Sequence, residues 1–260
     1  METTLAIGVA AALIIGVFLG MLGGGGSVLL VPVLLYVLKL PPKAALATSQ
    51  LVMAGTTVIA MLLHARAGRV VFAVGLVFGI SGMTGSFLGG RLAHHLPSQL
   101  LLTGFIVLMV VSAVQMLRKK RTVTSLAGQG GVGVGVEPSS HGLWLGAAVG
   151  FPTGLVTGLL GAGGGFLVVP ALTLFGRLSI EKAVGTSLLV IAMQSFAGSL
   201  GYLGHATVDL RLVGLLIAAM GTSSLLGGLL SQRVPAALLR KLFAGLLLAV
   251  ACLMFGRTFL

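Results

Sequence analysis

Charge-free stretches dominate this chain. No Asp, Glu, Lys or Arg occurs in 3–38, 44–65, 70–90, 92–117, 143–176, 183–203, 212–232 or 242–256. A helix crossing the hydrocarbon core of a bilayer needs about 20 apolar residues, and each stretch reaches or approaches that length. Two of them, 3–38 and 143–176, are too long for one straight crossing, and each carries a glycine cluster: "GMLGGGGSVLLVP" at 20–32 and "GLLGAGGGFLVVP" at 158–170. Glycine costs a helix roughly 1 kcal/mol against alanine. Each long stretch is therefore read as two pieces, 5–22 with 27–38 and 143–160 with 166–176. The other predicted segments are 44–65, 70–91, 98–117, 182–203, 210–231 and 236–256. Between the halves lies "RKKRTVTSLAGQGGVGVGVEPSSHG", residues 118–142. It is rich in Gly and Ser, opens on a charge run and has no helical period, which predicts a flexible cytoplasmic linker.

The pattern repeats. Adding 138 to a position in the first half lands on its counterpart in the second without a gap. Gly16, Gly20, Gly23, Gly25, Gly26 and Pro32 meet Gly154, Gly158, Gly161, Gly163, Gly164 and Pro170. Thr48 and Ser49 meet Thr186 and Ser187, and Gly89, Gly90 and Pro97 meet Gly227, Gly228 and Pro235. Across 16–52, 16 of 37 positions are identical to those at 154–190. Matched Gly, Pro, Thr and Ser are not expected from apolar low complexity alone. The expected organisation is repeat 1 over 1–117, the linker over 118–142, and repeat 2 over 143–260.

Cations decide between parallel and inverted copies, because cytoplasmic loops carry an excess of Lys and Arg. With Arg118, Lys119, Lys120 and Arg121 inside, parallel copies put 8 of the 16 cations inside, which is no bias. Inverted copies put 11 of the 16 inside. The tally favours inversion, which requires an odd number of passes per repeat. Whether the pieces flanking each glycine cluster both cross or turn back as a re-entrant hairpin is left open. Inverted repeats around a midplane site are a common build of secondary transporters.

Composition narrows the function classes. The chain is 57% hydrophobic and only 8% charged, against about 25% charged in soluble domains. An all-α, polytopic transmembrane helical protein is expected, in the cytoplasmic (inner) membrane. The net charge of +12 does not argue for nucleic acid, because the cations sit in short groups between apolar runs, without a basic helix or stacking platform. The start "METT" has no cation before its apolar run, so a cleavable signal peptide is not expected. Cys252 stands alone in an apolar segment and has no partner for an intrachain disulfide. No Cys/His cluster has metal-ligand spacing, and the adjacent His94 and His95 point apart on a helix. No catalytic triad or phosphate loop is legible, and neither an enzyme nor a cofactor is expected.

Gly16, Gly20, Gly154 and Gly158 have the Gly-x-x-x-Gly spacing that lets transmembrane backbones approach closely. The runs Gly23, Gly24, Gly25, Gly26 and Gly161, Gly163, Gly164, Gly165 fit that reading less well. Irregular backbone at membrane depth survives only where protein or a water-filled cavity satisfies its polar groups. A broken helix is the functional reading, with the second piece starting at Ser27 and at Phe166. Its free N–H groups and positive dipole end would bind an anion. "ATSQ" (47–50) and "GTSL" (185–188) add hydroxyls at Thr48, Ser49, Thr186 and Ser187. These either serve helix caps and interhelical bonds or donate to substrate oxygens. Gln50 and Gln194 are amides in apolar runs and would donate too. His64 and His205 lie near segment ends, where interfacial anchoring competes with proton coupling; Asp209 beside His205 makes coupling conceivable. The four acids Glu2, Glu137, Glu181 and Asp209 all lie at termini, in the linker or at segment edges, so a mid-membrane carboxylate relay is not expected.

The doubled pattern G-x-x-x-G-x-x-G-x-G-G-G, an apolar run and Pro, then A-x-G/A-T-S, resembles the sulfite exporter TauE/SafE permease family. The "AGRVVF" and "HATVDL" turns and the "LGGRLA…LP" and "LGGLLS…VP" ends agree, and the likeness covers roughly residues 8–257. The resemblance implies transport of sulfite, sulfoacetate and related organosulfonates. It carries over at Gly23, Gly25, Gly26, Pro32, Thr48 and Ser49, and at Gly161, Gly163, Gly164, Gly165, Pro170, Thr186 and Ser187. The chain departs from it at Ser27 and Ala47. The expected partners are a small anionic substrate and the lipid bilayer, without nucleic acid; self-association as a homo-oligomer is left open. The rival functions are a channel-like anion pore and a membrane accessory or scaffold subunit with no flux of its own.

Overall fold

A computed structural model describes residues 2–22, 25–118, 140–161, 163–174, 176, 178–204, 206–230 and 236–259. Those residues form ten helices and no strand. The first half holds α1 (Glu2–Leu22), a short α2 over 25–37, α3 (Pro42–Arg66), α4 (Phe72–His95) and α5 (Ser98–Arg118). The second half holds α6 (Ser140–Leu160), a short α7 (Gly165–Leu174), α8 (Ile180–Tyr202), α9 (Leu210–Leu230) and α10 (Ala236–Phe259). Six helices of the described residues are long and apolar enough to cross a membrane, by length and composition. The ends of the predicted linker are helical, since α5 runs to Arg118 and α6 starts at Ser140; the rest of it, 119–139, lies outside the described residues.

The short helices fill the place where the sequence predicts breaks. α2 is composite: a 3-10 turn (Gly25–Leu29), an α-turn (Leu30–Pro32) and a π-turn (Val33–Val37). It begins at Gly25 and α7 at Gly165, so the second pieces start slightly before the expected Ser27 and Phe166. α2 runs back along α1. A Cβ on Gly26 would meet the Leu19 nitrogen at 2.7 Å and the Ile15 carbonyl at 2.9 Å, while one on Gly8 would meet the Leu38 side chain at 2.9 Å. The two pieces are thus an antiparallel hairpin, and by Leu38 the chain is level again with Gly8.

α3 and α8 occupy the centre. Of their apolar windows 61% and 72% are buried, against 33–44% for the other four spans. They also carry "ATSQ" and "GTSL". Starts and stops are local: Pro42 opens α3 at a position that needs no N–H, and Gly68 follows it at φ +66°. Around the centre α1 packs on α9, α4 on α6, α4 on α8, α3 on α9, and α5 on α10. Exchanging the halves maps these pairings onto themselves.

The longest seams are backbone on backbone, and glycine makes them. A Cβ on Gly154 would overlap the Gly82 carbonyl, and one on Gly158 the Ser86 carbonyl, where α6 crosses α4. A Cβ on Gly16 would lie 2.5 Å from the Met220 carbonyl, and one on Gly20 would overlap the Ser224 carbonyl, where α1 crosses α9. Gly89 against Leu155 and Gly227 against Val17 complete the two seams. Each of these backbone contacts in one seam has its counterpart 138 residues away in the other. This is the close approach that the Gly-x-x-x-Gly spacing predicts.

Candidate functional site

The two helix breaks meet at the centre. Gly161, Gly163 and Gly164 sit at φ +63°, +65° and +62°, the left-handed region that other residues enter at a cost of about 1–2 kcal/mol. Gly161 closes α6 by donating to the Thr157 carbonyl (2.9 Å), and α7 opens with Leu167 and Val168 donating to the Gly164 carbonyl (2.9 and 3.0 Å). The loop lies on the other half of the molecule. A Cβ on Gly161 would come within 2.9 Å of Ser49 Oγ; one on Gly163 would come within 3.0 Å of Ser27 Cβ and 3.1 Å of its Oγ. Ser27 is in the first turn of α2 and Ser49 on α3, and both are fully buried. The start of α2, the loop before α7 and the middle of α3 therefore enclose one small region. Ahead of Leu167, the first amide N–H groups of α7 have no acceptor within the helix.

Several predicted donors are already engaged. Ser49 Oγ lies 2.7 Å from both the Leu46 and the Gly161 carbonyl oxygens. Gln50 Nε2 donates to the Thr157 carbonyl at 2.8 Å, tying α3 to the end of α6. Ser187 Oγ donates to Val184 O at 2.7 Å. Thr186 Oγ1 accepts from the Val71 N–H at 3.0 Å, anchoring the turn before α4 to α8. Thr48 is buried on α3. Gly26 is a packing glycine against α1, while Gly25 and Gly165 begin α2 and α7. Gly23, Gly24 and His205 lie outside the described residues. His64 is half-buried near the end of α3.

Other buried polar atoms have no hydrogen-bond partner: Gln50 Oε1, both amide atoms of Gln194, and the hydroxyls of Thr56, Ser86 and Ser195. Each of these residues is fully buried. Two glycines make room for them. A Cβ on Gly82 would overlap Gln194 Nε2, and one on Gly198 would lie 2.6 Å from Ser86 Oγ and 2.7 Å from Gln50 Nε2. The Gln194 amide thus lies against Gly82 of α4, and the Gln50 amide lies with Ser86 against Gly198 of α8. An unpartnered buried polar group costs about 1–3 kcal/mol, so such a cluster asks for a polar ligand or water. Sequence reasoning missed Thr56, Ser86 and Ser195. The repeat carried a signal for all three: Thr56 is the counterpart of Gln194, Ser86 that of the buried Ser224, and Ser195 that of the buried Thr57.

The region is neutral. Among the described residues every buried polar side chain is Ser, Thr or Gln, and no group of His, Cys, Asp or Glu has metal-binding geometry. Asp209 is exposed, and its Oδ1 accepts from the backbone of Arg211 (2.8 Å) and Leu212 (3.4 Å) as the N-cap of α9. Asp209→Ala is expected to lower stability by about 1 kcal/mol, which a melting curve checks.

Comparison with known proteins gives one family and several relatives. The family model described as "Sulfite exporter TauE/SafE" matches residues 8–254. A "Probable membrane transporter protein" of Xylella fastidiosa strain 9a5c is 32% identical over 253 residues, covering 94% of this chain and 92% of its own. One from strain Temecula1 is 33% identical over 249 residues, covering 94% and 92%. Bacillus subtilis "Probable membrane transporter protein YdhB" is 26% identical over 229 residues, covering 88% and 91%. No solved structure matches significantly.

Proposed function

This chain belongs to the sulfite exporter TauE/SafE family, a multi-pass membrane transporter, and from that premise we propose that its substrate is a small sulfur-containing anion, sulfite or an organosulfonate. The anion is held at the centre and crosses by alternating access. One observation carries this reading: the glycine loop before α7 meets Ser27 and Ser49, the Gln194 amide is buried without a partner, and no charged side chain is buried among the described residues. A helix N-terminus is worth about half a positive charge and binds anions through its N–H groups. Neutral donors release an anion more readily than a fixed buried cation does, which suits a carrier.

Inversion of the halves is supported by the hairpin of α1 and α2. With α2 returning along α1, the chain of the first half comes back to the side on which α1 began, which leaves α3, α4 and α5 to set the parity, an odd number of passes. The exchange symmetry of the helix pairings supports two like halves around the site. Alternating access then amounts to one half rocking against the other about α3 and α8.

The test is flux into proteoliposomes with sulfite, sulfoacetate, taurine and thiosulfate as a panel. Saturable flux of at least one sulfur oxyanion is expected. Flux that rises linearly with substrate and carries single-channel currents would make the protein a pore, and no flux with any panel member would leave it an accessory subunit. Gln194→Met separates binding from packing. Volume is nearly conserved and the unpartnered amide is removed, so the melting temperature is expected to hold or rise. Flux is expected to fall about tenfold, the size of one hydrogen bond to a charged group. Unchanged flux removes Gln194 from the site.

A further inference from the structure

Away from that centre, a cleft of about 390 Å³ opens between α1, α2 and α10. Its α10 wall is one helix face, Leu246, Val250, Leu253 and Arg257. At 1.5 Å per residue that face runs about 16 Å from Leu246 to Arg257. The hydrocarbon of one leaflet is about 15 Å deep, half of the ~30 Å core. Leu246 lies near the middle of the 24-residue α10 and Arg257 near its end, so the cleft spans one leaflet from midplane to interface.

Its chemistry is graded along the same direction. The inner walls are apolar, and among the described residues Arg257 is the one charged residue that lines the cleft. The Arg257 guanidinium stands 5.6 Å over the Tyr36 ring, which fixes the cation at the level where tyrosines border a membrane. An apolar slot one leaflet long with a held cation at its mouth matches an amphiphile with an anionic head. A zwitterionic lipid fills the walls as well but brings a cation of its own to Arg257.

We propose that this cleft binds one anionic phospholipid, with an acyl chain along α10 and the phosphate at Arg257. The test is native mass spectrometry of the purified protein in micelles holding equal phosphatidylglycerol and phosphatidylcholine of the same chains. Retention of phosphatidylglycerol about fivefold over phosphatidylcholine is expected, the size of one Arg–headgroup attraction. Arg257→Gln is expected to bring that ratio to about 1, while Arg211→Gln, an exposed arginine elsewhere, keeps it. Ala11→Phe, which fills the α1 wall, is expected to lower retention of both lipids, and glycerol 3-phosphate, the head without chains, is expected not to compete. A wild-type ratio near 1, an unchanged ratio in Arg257→Gln, undiminished retention in Ala11→Phe, or displacement by glycerol 3-phosphate each overturns the proposal.

Discussion

Gly164→Leu is expected to abolish anion flux while the protein still inserts in the membrane. Gly164 sits at φ +62°, so any side chain there carries about 1–2 kcal/mol of backbone strain. Its Cβ would also overlap Thr157 Oγ1, and forced overpacking costs about 1–3 kcal/mol more. The chain escapes both by swinging the loop, and the loop is what brings the start of α7 to Ser27 and Ser49. The charge complement of the anion is lost with the geometry, so a fall in proteoliposome flux of about a hundredfold or more is expected. A double-mutant cycle separates the two causes. In Gly164→Ala with Thr157→Ala the clash is relieved and the strain remains, so flux is expected to recover in part. Full flux in Gly164→Leu would show that the loop does not shape the transport path.

Gly158→Leu is expected to destabilise the fold strongly, by a different route. Here the obstruction is the backbone of Ser86, with its carbonyl carbon 2.7 Å and Cα 2.8 Å from the added Cβ. No flexible side chain is there to yield, so α4 and α6 must separate. About 3 kcal/mol or more is at stake, against a total of roughly 5–15 kcal/mol for a typical domain. The counterpart substitution Gly20→Leu meets Ser224 in the same way, its carbonyl carbon at 2.8 Å. The two variants are expected to lose similar amounts of melting temperature or monodisperse yield. A large loss in one and none in the other would break the equivalence of the seams.

Much of this was legible in the sequence because the informative signals were local or periodic. The ten segments, the breaks after Leu22 and Leu160 and the pairing of Gly16 with Gly154 follow from runs and spacings alone. Partners were not legible. "GTSL" reads equally well as substrate donors or as structural glue, and only the fold brings Val71 to Thr186, 115 positions away. The direction of α2 was likewise hidden, since an apolar piece of that length reads the same whether it crosses or turns back. Thr56, Ser86 and Ser195 are common residues in apolar runs; burial without a partner is what sets them apart, and burial is a property of packing. Asp209 reads in the sequence only as a neighbour of His205, and the fold adds that its oxygen accepts from two backbone N–H groups of α9.

The seams also bear on biosynthesis. α1 finds its mate in α9, and Gly16 and Met220 are 204 positions apart. During elongation the glycine face of α1 therefore waits in the bilayer until nearly the whole polypeptide has been made, and contacts of such long range form slowly. A first half released early holds α1 and α4 with neither mate present. Its best available cover is the same pair on a second released half, α1 to α4 and α4 to α1. Truncated chains are thus expected to pair with one another rather than remain single, which the mass of the purified first half in detergent checks.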